Sequence, residues 1–316
     1  MRIVPFGEVA AMGITPDQCL RWVEEALSHK GECLLPPKIS LKPEGMPDVF
    51  YNTMPCIVPW LGYAGVKLVT RYPHRSPALD SELMLYRLDD GVMVSLMDAT
   101  WITNARTGAV AAHSAALLGT PGFTRVGFMG LGNTARATME CLRVAVPDRE
   151  LEVGLLRHRD QAALFAERFS AMEGVRFHEV DTPEELVGES QVVISCVTAA
   201  GGDFCPVECF APGVTVIPVH TRGFMGCDLA FDRVFCDDVG HVKGFRYFDS
   251  FSDRLSEVAE VVQGSAPGRT SDDERILVYN IGLALHDVVY AAHIFEMGLS
   301  GALDVDFDGP REKFWA

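Results

Sequence analysis

Six residues near the middle of the chain have the types and spacing to cradle a pyrophosphate. A short apolar run, Val126 to Met129, leads into Gly130-Leu131-Gly132-Asn133-Thr134-Ala135, and a helical pattern follows to Leu142. Gly130 permits a tight turn, and Gly132 lets the backbone approach a phosphate. Ala135, in the third small position, lets the helix pack close to its strand. Asn133 and Thr134 would open that helix, with backbone N–H groups facing the phosphates. A second strand is expected over residues 151 to 156. An acidic residue at its end would bond the ribose 2′-hydroxyl of NAD, whereas arginine favours the 2′-phosphate of NADP. The chain reads Arg157-His158-Arg159 there, with no carboxylate before Asp160. This basic cluster points to NADP(H) as the preferred cofactor, with NAD(H) possible.

Two further cations stand where chemistry could use them. Lys67 lies in an apolar strand expected over residues 63 to 70, and Arg106 lies near the start of an alanine-rich helix expected over 104 to 119. A helix start is a place where anions bind. Each has a plain alternative: a lysine facing solvent, or an arginine on a helix surface. Cys205 and Cys209 are four apart, but no second pair at ligand spacing completes a metal site. No metal is expected.

The elements that must position these residues follow from patterning. Thr15-Pro16-Asp17-Gln18 is a capping box opening an amphipathic helix over 16 to 29. A proline-rich stretch from Leu34 to Trp60 reads as strands broken by loops. A hairpin is expected around Asp89-Asp90-Gly91. From Gly122 strands and helices alternate, which requires a parallel sheet with helices on both faces. Residues 252 to 262 read as a helix. A second capping box at Ser271 to Glu274 precedes a long apolar stretch, read as one helix from Arg275 to Met297. That helix must bury its face outside the dinucleotide domain, so the chain is expected to return to its N-terminal portion. The expected division is a dinucleotide-binding domain over 119–269 inserted into a discontinuous domain formed by 1–118 and 270–316.

Composition bounds the partners. The 316 residues carry 27 basic and 43 acidic side chains, a formal net charge of −16, which argues against nucleic acid or an anionic membrane. No run approaches the ~20 apolar residues needed to span a bilayer. Nine cysteines without a framework, and no export signal, point to a reducing cytoplasm.

Several stretches together resemble the ornithine cyclodeaminase/μ-crystallin family: PPKISL (36 to 41), TMP (53 to 55), GVKLVT (65 to 70), MDATWITNARTGAVAA (97 to 112), FMGLGNTA (128 to 135) and YNIGLALHD (279 to 287). The resemblance implies an α/β fold in which a Rossmann-type dinucleotide-binding domain is inserted into a discontinuous α+β substrate and dimerisation domain. It also implies a homodimer and a nicotinamide cofactor, with further cofactor contacts at Thr107, Val197, Thr198 and Asn280. Family members hold the substrate carboxylate with basic side chains, here Lys67 and Arg106, with Lys38 at a position that is commonly arginine. Lysine pairs with a carboxylate as a point charge and not as a bidentate fork.

One departure bears on the reaction. Cyclodeaminases carry an aspartate in the loop after the strand near 214 to 219, and this chain offers His220, Thr221 and Arg222, with no carboxylate until Asp228. A histidine there is expected to manage a proton near neutral pH. The leading expectation is therefore an NAD(P)-dependent oxidoreductase of amino-acid metabolism, moving hydride at a carbon–nitrogen bond of an amino, imino or keto acid. Lys67 and His220 would be its catalytic groups. The alternatives are a cyclodeaminase that recycles its NAD and releases ammonia, and a cofactor-binding protein without catalysis.

Overall fold

The computed structural model describes residues 1–198, 200–220, 222–306 and 312–313. The chain forms two compact units, one from Met1–Ile14, Glu32–Thr103 and Asp287–Ala316, the other from Thr15–Gly31 and Asn104–His286. In order, the elements begin β1 (Arg2–Val4), α1 (Phe6–Ala11), α2 (Pro16–Ser28), β2 (Ile39–Leu41), β3 (Phe50–Val58), β4 (Tyr63–Arg71), β5 (Leu79–Arg87), β6 (Met93–Asp98) and α3 (Thr100–Leu118). There follow β7 (Arg125–Met129), α4 (Asn133–Ala145), β8 (Leu151–Leu156), α5 (Gln161–Arg168), β9 (Val175–Val180), α6 (Pro183–Glu189), β10 (Val192–Ser195) and β11 (Thr215–Pro218). The remainder comprises α7 (Cys227–Ala230), β12 (Arg233–Cys236), α8 (Val239–Val242), α9 (Phe248–Phe251), β13 (Leu255–Glu257), α10 (Val258–Val262), β14 (Ile276–Tyr279), α11 (Ala284–Glu296) and β15 (Leu303–Asp304).

The first unit is a seven-stranded sheet in the order β15-β1-β6-β5-β4-β3-β2, antiparallel except for the β1–β6 pair. Alternation along the strands gives it two faces. One is buried: Met54, Lys67, Leu83 and Met97 stand in register across it. α11 covers this face through residues from Asp287 onward; a Cβ on Gly65 would lie 2.7 Å from Val288, so the helix approaches to glycine distance. The opposite face carries the register row Pro55, Val66, Met84 and Leu96, all half-exposed.

The second unit is an all-parallel eight-stranded sheet in the order β13-β12-β14-β11-β10-β7-β8-β9. Its central strands are buried at every position and mostly apolar, as a sheet covered on both faces requires. Helix α2 belongs to this unit. Its cap is the expected reciprocal pair between Thr15 and Gln18. Just beyond its end, Lys30 reaches Asp238 at 3.0 Å and Glu257 at 2.6 Å.

Three expectations are corrected. The stretch read as one helix from Arg275 contains β14, which hydrogen-bonds between β12 and β11; the helix begins only at Ala284. Ile276-Leu277-Val278-Tyr279 is four consecutive buried apolar residues, which suits a strand buried on both faces and gives no helical period. Residues 252 to 262 likewise contain a strand, β13, before α10. Finally α3 starts at Thr100, whose N–H is capped by the Asp98 carboxylate at 2.8 Å, and not at 104. The second unit takes in 15–31, 104–118 and 270–286, which the expected division placed with the chain ends.

Helices α3 and α4 cross at Gly108, where a Cβ would meet the Thr138 nitrogen at 2.5 Å and Ala137 at 2.6 Å. The Gly108→Ala substitution should lower stability by about 1–3 kcal/mol in urea unfolding, since the backbone must part to admit it. Gly31→Ala, with nothing within 4 Å, should leave the midpoint in place.

Candidate functional site

The carboxyl ends of the parallel strands line up the predicted residues, and Asp237 with them, in sheet order. Asp237 follows β12, Asn280 follows β14 and His220 lies just beyond β11. Val197 and Thr198 lie beyond β10, the Gly130–Gly132 turn follows β7 and Arg157 follows β8. Strand order reverses between β10 and β7, and at such a switch point the loops part to leave a crevice. Gly130 has φ +76°, and a Cβ on it would lie 2.7 Å from the Val197 nitrogen, so this glycine closes the crevice floor. Gly132 is exposed with nothing within 4 Å of where its side chain would stand. Asn133, Thr134 and Ala135 form the first turn of α4, whose N–H groups have no acceptor within the helix. Thr134 donates to Asn104 at 3.3 Å, and Thr107 precedes the glycine at the α3–α4 crossing. An open glycine, a row of uncommitted amides and a switch point fit the pyrophosphate of a dinucleotide.

At the end of β8 the three basic residues are exposed, but they are not equivalent. Arg157 is held by Glu179 at 2.8 Å and Asp181 at 2.5 Å, two carboxylates at the end of β9 that sequence reading had not placed there. His158 and Arg159 follow, the latter with φ +54°.

His220 is placed differently from the expectation. Its Nε2 lies 2.7 Å from Ser195 Oγ and its Nδ1 accepts the Arg222 N–H at 3.4 Å. The rings of Phe204 and Phe224 flank it with centroids 6.4 and 6.3 Å away. Burial pushes the imidazole down to about 4, so it is neutral at neutral pH. With Nδ1 accepting, the neutral ring carries its proton on Nε2 and donates to Ser195. The ring stands as a neutral hydrogen-bonding group at neutral pH, and a proton-handling role there would work against this shift. Thr221 lies outside the described residues. Asp228, the next carboxylate, is buried and accepts from Tyr279 Oη at 2.7 Å, which ties it into the core.

Arg106 lies in the second turn of α3 and is buried, so the helix-terminus argument for anion binding falls. Its guanidinium rests over Gly282, where a Cβ would meet Nη1 at 2.4 Å. Asp237 accepts from the Gly282 N–H at 2.7 Å and from Asn280 Nδ2 at 3.0 Å. Burial raises the Asp237 carboxyl, while those two donors and the Arg106 charge oppose the rise. Sequence reading had no signal for Asp237, one of two adjacent aspartates at a strand end.

In the first unit Lys67 is fully buried, with Nζ 2.5 Å from Asp287 Oδ1 and 3.2 Å from Thr103 Oγ1. It is not a solvent-facing lysine. Lys38 immediately precedes β2, and the β2–β3 register carried back one step sets it opposite Met54, which itself pairs with Lys67. The two lysines thus belong to one cross-strand row. Among the described residues, no group of three or more histidine, cysteine or acidic side chains is arranged to hold a metal ion, and no helix is long and apolar enough to cross a membrane.

Because burial lowers the His220 pKa, the stability its neutral ring contributes is fully present above 6.5 and is progressively lost as pH falls toward 4. A histidine NMR titration should give a midpoint near 4 for His220, and His220→Gln should flatten the decline in stability over that interval.

Comparison with known proteins agrees with this architecture. The chain is 26% identical over 302 residues to nodulation efficiency protein NfeD of Rhizobium meliloti, covering 92% of this chain and 93% of that protein. It is 26% identical over 307 residues to alanine dehydrogenase of Archaeoglobus fulgidus, with 91% and 92% covered. The structure of Thermococcus litoralis Δ1-pyrroline-2-carboxylate reductase, in complex with NADH and L-proline, superposes with a TM-score of 0.83 at 20% identity, over 96% of this chain and 100% of that one. The ornithine cyclodeaminase/mu-crystallin family model matches residues 8–224. With two-thirds of its length matching that model and its glycine turn at the switch point of a parallel sheet, the chain belongs to the ornithine cyclodeaminase/mu-crystallin family.

Proposed function

We propose that this protein is an NAD(P)-dependent oxidoreductase acting at a carbon–nitrogen bond of a small amino acid, as an imino-acid or ketimine reductase or an amino-acid dehydrogenase. The observation that carries this reading is the row of residues at the carboxyl edge of the parallel sheet, from Arg157 through the Gly130–Gly132 turn to His220 and Asn280. The bound dinucleotide supplies the hydride. In this reading Arg106 and Lys67 bind the substrate carboxylate, and Lys38 adds a third positive charge. Asp287 faces Lys67 Nζ as its counter-ion in that buried position. His220 orients groups as a neutral donor and does not deliver the proton. The second reading, a cyclodeaminase, needs a carboxylate in the loop after β11; Asp228 is committed to Tyr279, which favours the reductase. Binding without catalysis is the third reading, and the buried Lys67 and Arg106 speak against it, since a buried cation is costly to keep without use.

The cofactor is read as NADP(H) from the basic loop. Support comes from His158 and Arg159, because Arg157 is already neutralised by Glu179 and Asp181; that pairing favours NAD(H) as the second reading. We also read the protein as a homodimer formed through the open face of the first sheet, whose central row Pro55, Val66, Met84 and Leu96 offers an apolar surface to a second copy. The nine cysteines form no disulfide among the described residues, which supports a reducing cytoplasm as its compartment.

Titrating the protein with NADPH and NADH, then screening cyclic imino acids and keto acids with ammonia for loss of reduced cofactor, tests the assignment. Net oxidation by one substrate class is expected. Ammonia release from a diamino acid without net oxidation would replace it with the cyclodeaminase. Arg106→Ala should reduce kcat/KM by at least about a hundredfold, as expected for losing a buried charge-assisted contact. Cofactor affinity should survive. The Val66→Glu variant should sediment as a monomer if the open face joins two copies.

A further inference from the structure

Asn280 holds an unusual position for a buried amide. It is 1% exposed, and its backbone N–H donates to the Pro218 carbonyl at 3.1 Å, which locks the residue beside β11. Its Nδ2 donates to Asp237 Oδ1 at 3.0 Å, yet its Oδ1 is buried with no hydrogen-bond partner. A buried acceptor left unpaired costs stability, and native structures rarely tolerate one without a ligand or a function. The amide cannot relieve this by turning over, because that would set Oδ1 against the Asp237 carboxylate. Both oxygens of Asp237 accept hydrogen bonds, the second from the Gly282 N–H at 2.7 Å, so the carboxylate is itself fixed. Burial raises the Asp237 carboxyl, and the Gly282 and Asn280 donors, then the Arg106 and Lys30 charges, oppose that rise.

We propose that Asp237 is a positioning residue that locks the Asn280 amide with Nδ2 toward its own carboxylate, which leaves Oδ1 as the acceptor for the carboxamide N–H of a bound nicotinamide. The inference rests on the dinucleotide reading above and adds to it which end of the cofactor meets this edge. Asn280 stands beyond β14, next to β11 and two strands from the switch-point strand β10, on the side away from the ribose-binding end of β8. The carboxamide is the hydrogen-bond donor of the nicotinamide ring. Asn280 would therefore select the amide over the acid, since a carboxylate in its place offers only acceptors to Oδ1.

The test is discrimination between a dinucleotide and its nicotinic-acid counterpart, in which a carboxylate replaces the carboxamide. Calorimetric Kd values would be measured for whichever of NAD+ and NADP+ binds more tightly, and for its acid form. The wild-type protein should bind the acid form at least about tenfold more weakly, the scale of one mispaired buried acceptor. In Asp237→Asn the Asn280 amide gains freedom to reverse, and the ratio should fall toward one. Asn280→Ala should abolish the ratio directly, and the double variant should lose nothing further. A purely structural Asp237 would lower the unfolding midpoint and leave the ratio intact, which would overturn the inference. An undiminished ratio in Asn280→Ala, or none in the wild type, would overturn it while leaving the dinucleotide site standing. Failure of the wild type to bind either form would remove both.

Discussion

Strands that fan out in opposite directions from a common centre must part at their carboxyl ends, and this geometric necessity organises the second unit. β8 and β9 lie to one side of β7 and β10 to β13 to the other, so the connections leave β7 and β10 toward opposite faces. The turn after β7 is short and glycine-rich, with α4 opening at Asn133. Gly130 is the sharpest expression of the constraint: its positive φ and its contact with the Cys196–Val197 backbone exclude any side chain. Each residue at the row owes its place to the strand that precedes it rather than to loop conformation, which gives the edge rigidity.

Buried charge is handled differently in the two units. Lys67 and Asp287 form a close pair without exposure, so either alone would be an uncompensated ion costing about 3–5 kcal/mol, whereas the pair need not add net stability. Such a pair is better understood as a way of keeping an ammonium charged inside an apolar sheet face. Asp237 is instead satisfied chiefly by neutral donors, a backbone N–H and an amide, with Arg106 balancing its charge from beyond Gly282. The result is a carboxylate that orients its neighbours while its own oxygens are committed.

The legible parts of this chain were those where residue type is dictated locally. A glycine pair after an apolar run, a Thr-Pro-x-Gln cap and an Asp-Asp-Gly turn each admit few conformations, and each formed as read. β14 was illegible because a strand buried on both faces has no polar alternation to set against a helix; Gly282, at φ +98°, was the available sign that no helix could run through. The Arg106 environment was misjudged because Asp98, at a strand end, caps α3 four residues before the alanine-rich pattern starts. For His220 the residue was visible but its electrostatics were not, since Phe204 and Phe224 come from separate parts of the loops and desolvate it only after folding. Asp237 and Asn280 are 43 residues apart, and their pairing exists only because β12 and β14 are neighbours.

The late position of β14 in the chain also shapes how the protein must be made. β12 and β13 join the rest of the parallel sheet only through β14, whose residues 276–279 emerge after every other strand of that sheet. Until then the nascent chain holds two fragments of one sheet, each with an open apolar edge where the missing strand belongs. A growing polypeptide in that condition is exposed to self-association until this four-residue strand closes the sheet. The dinucleotide unit is consequently not a segment that could be excised at 269 and expected to fold.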